Sequence, residues 1–120
     1  MKIVVTSQGR EWSSPVDPRF GRARYFVVVD TESGEFSAAD NSQNLNAAQG
    51  AGIQAGRSVV QLGASAVLTG HVGPKAFATL QAGGIAIYTG ATGTVADAVE
   101  QFKAGKLKLS ASADVEGHWV

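Results

Sequence analysis

Cysteine is absent from all 120 residues. That gap removes disulfides, thiolate zinc sites, cysteine-ligated iron–sulfur clusters and cysteine nucleophiles in one step. Net charge is zero, so the chain has no overall field with which to capture DNA, RNA or an anionic membrane, and any cationic patch must be local. No run approaches the roughly 20 apolar residues that a membrane span needs. The segment Met1–Thr6 enters a strand pattern with no apolar signal core, which makes the cytoplasm the expected location. Neither Gly-Lys-Ser/Thr nor G-x-G-x-x-G occurs, so nucleotide binding has no positive support. What is present, 44% hydrophobic against 17% charged residues, suffices for one domain with a buried core.

Element order follows from periodicity and punctuation. Ile3–Thr6 is a short apolar run closed by Ser7-Gln8-Gly9, as expected of a central strand covered on both faces. Tyr25–Asp30 and Glu35–Asp40 flank Thr31-Glu32-Ser33-Gly34, which predicts a hairpin. Ala48, Ala51, Ala55, Val59 and Leu62 follow helical spacing, and Gly52 with Gly56 would let that face approach a sheet closely. Ala66–Thr69 and Ile85–Tyr88 read as strands, with a helix over Pro74–Gln81 between them. Thr94 with Asp97 resembles a capping box, and Val95, Ala98, Val99 and Phe102 form the apolar stripe of a third helix. The order implies an α/β domain over residues 1–109: a five-stranded mixed sheet, a hairpin on one side, βαβ crossovers on the other, and helices on both faces. Residues 110–120 have no period and are expected to form a loosely held tail.

In such sheets ligands sit beyond the carboxyl ends of the parallel strands, where the loops after Thr6, Thr69 and Tyr88 must converge. The first of these carries Val16-Asp17-Pro18-Arg19-Phe20-Gly21-Arg22, followed by Arg24. Guanidinium forks at Arg19, Arg22 and Arg24 suit a multiply charged anion, and the bland alternative is a solvated loop whose Asp17 pairs with a neighbouring arginine. Phe20 reads as the loop's anchor. Gly50-Ala51-Gly52 and Gly70-His71-Val72-Gly73-Pro74 each precede a helical pattern, so Gly50, Gly52 and Gly73 are candidate backbone N–H donors to an anion. His71 is a candidate metal ligand or hydrogen-bond donor, with a purely structural role as its alternative. His118, in the tail, is a weaker candidate.

No catalytic constellation is visible. Asp17, Asp30, Asp40 and Asp97 would have to assemble for two-metal nuclease chemistry, but Asp30 and Asp40 look like strand ends and Asp97 like a cap. Ser13 and Ser14 lack a recognisable histidine and acid. The chain is expected not to be an enzyme.

Four blocks in order carry a family resemblance: Val16–Ala23 running into Tyr25-Phe26, Gly50–Ile53, Thr69–Ala76, and Gly84–Tyr88. With them the chain resembles the dinitrogenase iron–molybdenum cofactor biosynthesis family, the small domain of NifX, NafY and the end of NifB. It looks most like the stand-alone, orange-protein-like branch. The resemblance covers residues 1 to about 107. It implies a ribonuclease H-like sheet of order 3-2-1-4-5 with strand 2 antiparallel, and noncovalent binding or delivery of a metal–sulfide cluster, of molybdenum–copper or iron–molybdenum type, without turnover. It further implies room for a protein partner in cofactor assembly, while the neutral charge and the short apolar runs give no expectation of a nucleic-acid or membrane partner. The nitrogenase branch commonly has His-Phe-Gly in the first loop, where this chain has Arg19-Phe20-Gly21. That replacement favours an electrostatic hold on a thiomolybdate-type anion that brings its own sulfide. Two other classes stay open at this point: a partner-docking module using exposed Trp12 and Trp119, and a ribonuclease H-like nuclease.

Overall fold

The computed structural model describes residues 1–41 and 51–111. Six strands form one sheet: β1 (Lys2–Ser7), β2 (Tyr25–Asp30), β3 (Phe36–Asp40), β4 (Ala66–Leu68), β5 (Ala86–Thr89) and β6 (Lys108–Leu109), in the order β3-β2-β1-β4-β5-β6. β1 runs antiparallel to β2 and parallel to β4, with Val4 opposite both Val28 and Val67. β4 and β5 are parallel, whereas the β2–β3 and β5–β6 pairs are antiparallel.

The described residues hold three α-helices: α1 (Ala51–Gln61), α2 (Pro74–Ala82) and α3 (Val95–Lys103). Alternation along the strands sorts the core into two layers. Val4, Phe26, Val67 and Ile87 pack under Ala55 and Val59 of α1 and Phe77 and Leu80 of α2. Ile3, Val5, Val27 and Leu68 point the other way, onto Val95, Ala98 and Val99 of α3. Period 2 in the strands and 3.6 in the helices produce this arrangement, since one residue of slip would exchange the two faces.

The local chemistry at element ends matches the sequence. Gly34 closes the β2–β3 hairpin at φ +78°, a conformation glycine adopts without steric cost. Asp30 supports the same turn by accepting from the Glu32 and Ser33 N–H groups at 2.9 and 3.4 Å. Those bonds hold its carboxyl below the usual range. At α3 the capping box is complete: Thr94 Oγ1 accepts from Asp97 N–H, and the Asp97 carboxylate accepts from Thr94 N–H.

Three expectations need correction. The sheet has six strands, not five: the Ser110 N–H donates to Ile87 O at 2.8 Å, and the Ser110 and Thr89 hydroxyls lie 3.1 Å apart, adding a two-residue edge strand. A two-residue strand is too short to show a period, so it left no sequence signal. Gly56 serves a helix contact instead of a sheet contact, because a Cβ there would come within 2.9 Å of Thr79 Cγ2 on α2. Trp12 is half-buried against the α3 layer and packs on Phe36 in a tilted ring pair, with centroids 5.3 Å apart and an interplanar angle of 37°. Ala48, Gly50, His118 and Trp119 lie outside the described residues.

Candidate functional site

The loop between β1 and β2 is fastened at three places. Near its start, the β-bridges Ser7–Val16 and Pro15–Thr94 tie it to β1 and to the entry of α3. In the middle, Asp17 N–H donates to Thr6 O at 2.9 Å, and Thr6 Oγ1 donates to Asp17 O at 2.7 Å. Thr6 Oγ1 also lies 2.9 Å from Thr69 Oγ1, so the ends of two parallel strands share one fully buried hydroxyl pair. Toward its end, Phe20 is fully buried and stacks on Phe26 at 5.7 Å. Burying such a ring contributes roughly 1.5–3 kcal/mol, which makes Phe20 the loop's anchor.

Phe20 also opens a 3-10 turn, Phe20–Arg22, against which α1 packs. The Arg24 carbonyl accepts from Asn41 N–H at 2.9 Å, and the buried Asn41 amide donates to Ala23 O at 2.7 Å.

The β4–α2 loop meets this segment backbone to backbone. His71 N–H donates to Pro18 O at 2.7 Å, Phe20 N–H donates to His71 O at 3.2 Å, and Arg19 and His71 form a parallel β-bridge. Gly70 makes the approach possible: a Cβ there would lie 2.7 Å from both Cα and O of Pro18. Its requirement is space, since φ is not positive.

These constraints aim the basic side chains into one open recess of about 370 Å³, lined by Gln8, Asp17, Arg19, Arg22 and Arg24. Arg19 and Arg24 are exposed and Arg22 half-buried. Asp17 is 8% exposed, and its carboxylate accepts from the Arg19 N–H at 3.0 Å. Burial pushes that carboxyl above its usual range, while the Arg19 N–H and guanidinium pull it partly back. The recess therefore sits at the carboxyl ends of β1 and β4, where the topology predicts a ligand.

The other candidates are placed around it. His71 is half-buried beside the Arg19 backbone, and its side chain is not among the groups lining the recess. Gly73 is buried and stands immediately before α2, its carbonyl accepting from Phe77 N–H at 2.9 Å. Gly52 is buried within α1, the helix that packs on the arginine turn. Among the described residues no three His, Asp or Glu side chains gather to hold a metal ion. Three aspartates are instead occupied locally: Asp17 at Arg19, Asp30 at its turn and Asp97 in its cap. Gln8 in the lining and the Thr6–Thr69 hydroxyl pair have no distinctive motif, and only the strand register brings them to the site. No helix of the described residues is long and apolar enough to cross a membrane.

Fold and recess define a three-layer α/β domain with a cationic recess at the carboxyl ends of its parallel strands. The family model described as dinitrogenase iron-molybdenum cofactor matches residues 1–105, and the chain belongs to that family. The apo form of the orange protein from Desulfovibrio gigas is 41% identical, with a TM-score of 0.92 over 95% of this chain and 96% of that one. A protein from Thermotoga described as a putative NifB protein is 35% identical, with a TM-score of 0.84 over 97% of this chain and 98% of that one. An uncharacterised protein of Methanocaldococcus jannaschii is 28% identical over 110 residues, 90% of each chain.

Proposed function

We propose that the chain binds or carries, noncovalently, an anionic molybdenum- or iron-containing metal–sulfide cluster in cofactor assembly or delivery, in the cytoplasm and without turnover. The observation that carries this reading is the gathering of Arg19, Arg22 and Arg24 in one recess at the strand ends. The donor set suits such cargo. With no cysteine in the chain and no cluster of metal-ligating side chains among the described residues, the sulfide has to arrive with the metal. Guanidinium groups then supply charge and hydrogen bonds without ligating the metal. His71 and Gly73, at the loop that seats Arg19, would add a side-chain donor or ligand and a backbone N–H, Gly52 in the first turn of α1 would add a further backbone N–H, and Gly50, outside the described residues, is proposed for the same role. Both cluster types, molybdenum–copper and iron–molybdenum, suit a recess that recognises charge in place of a particular metal. The strand order with β2 antiparallel is read as ribonuclease H-like. A partner that supplies or receives the cluster would meet the chain at this open face.

The test is a visible-absorption titration of the protein with tetrathiomolybdate, with and without copper, followed by desalting and metal analysis. Stoichiometric molybdenum retained with new charge-transfer bands is expected. Protein that emerges without metal in every combination contradicts the reading.

A further inference from the structure

Among the residues lining the recess, Asp17 is the one carboxylate, and it is not free to swing away from a bound anion. Its side chain is tied by the Arg19 N–H at 3.0 Å, and its backbone is clamped on both sides by Thr6. A negative charge fixed beside three arginines opposes the anion those arginines attract. Every other group that meets Asp17 or lines the recess is cationic or neutral: Arg19, Arg22 and Arg24, with Gln8 in the lining and Thr6 and Thr69 beneath. The same side chain has a second job, because its acceptor bond sets the turn that presents Arg19. An amide oxygen would keep that bond and remove the charge.

Taking the cluster-carrier reading as its basis, we infer that Asp17 sets release: it is a fixed counter-charge that weakens the hold on a multiply charged anion while its side chain keeps Arg19 in position. A carrier needs cargo that leaves, and one opposing carboxylate shortens residence without removing a single donor. Burial raises the Asp17 carboxyl, which fits a group placed where its charge is costly.

The two jobs separate by substitution. Asp17→Asn keeps the acceptor for the Arg19 N–H and deletes the charge; Asp17→Ala deletes both. Wild type, D17N and D17A are each loaded with tetrathiomolybdate at neutral pH and fixed ionic strength. Release is followed by absorbance after dilution, and retention is scored per folded protein, the folded fraction being taken from thermal unfolding. D17N is expected to release the anion on the order of tenfold more slowly than wild type, the effect of one charge on a dianion across several ångströms of water-like medium, and D17A is expected to bind less tightly than D17N. A wild type that retains the anion while D17N releases it as fast or faster overturns the role of Asp17 and leaves the carrier reading standing. D17A equal to D17N overturns the positioning half. Failure of both wild type and D17N to retain the anion overturns both readings together.

Discussion

Replacing Gly70 by alanine separates shape from charge in the recess. The added methyl lands 2.7 Å from Pro18 Cα and from Pro18 O, and 3.0 Å from Pro18 Cβ. Two of those atoms are backbone, so the clash cannot be relieved by a rotamer change. Pro18 must move, and it carries the carbonyl that accepts from His71 N–H at 2.7 Å. Overpacking of this kind costs about 1–3 kcal/mol, and weakening the hydrogen bond adds about 1 kcal/mol. The sum, about 2–4 kcal/mol, is a large part of the stability of an ordinary domain. With a urea dependence of about 2 kcal/mol per molar, the middle of the range for small domains, the unfolding midpoint should fall by about 1–2 M. The arginine loop is displaced with Pro18, so anion retention should fall too, although no charge has been altered. Urea unfolding followed by far-ultraviolet circular dichroism reads the first effect, and desalting with metal analysis reads the second. A G70A protein with an unchanged midpoint would refute the claim that close backbone contact seats the loop.

Two further outcomes follow from the β2–β3 hairpin. At Gly34 no atom lies within 4 Å of an added Cβ, yet φ is +78°; Gly34→Ala should therefore cost only about 1–2 kcal/mol of conformational strain, visible in thermal unfolding and without effect on retention. Asp30 is held below the usual carboxylate range by the Glu32 and Ser33 N–H groups, so its contribution to stability is complete at neutral pH and is lost as pH falls from the unfolded value, about 4, through the lower folded value. Asp30→Asn, which keeps an acceptor at the turn, should flatten that acid limb in urea unfolding carried out over a pH series, whereas an unchanged limb would place the acid sensitivity elsewhere.

Much of this architecture is legible before any coordinates. Ile3–Thr6 reads as a central strand because it is apolar without alternation, and Lys2–Ser7 is indeed flanked on both sides. The Thr94–Asp97 box and Pro74 mark their helices at the residue where each begins. The recess is legible in part: three arginines within six residues single out the loop that lines it, and the rule that ligands sit at strand carboxyl ends says where to look. What escaped depends on pairing across long separations. β6 exists only because Lys108–Leu109 finds the edge of β5, and nothing local distinguishes two such residues. Gly70 reads as a turn glycine, but its reason for being glycine is Pro18, fifty-two positions earlier. Trp12 looks like an exposed contact residue until the hairpin brings Phe36 beneath it.

The central claim is that the recess arginines hold an anionic cluster by charge. Its most direct measurement is the molybdenum retained after desalting by wild type and by the Arg19→Ala, Arg22→Ala double variant, each loaded with tetrathiomolybdate and copper, with thermal unfolding recorded on the same samples. Both side chains extend from a loop held by its backbone and by buried Phe20, so the variant should unfold within a few degrees of wild type and retain essentially no molybdenum. Equal retention by the two proteins would contradict the account.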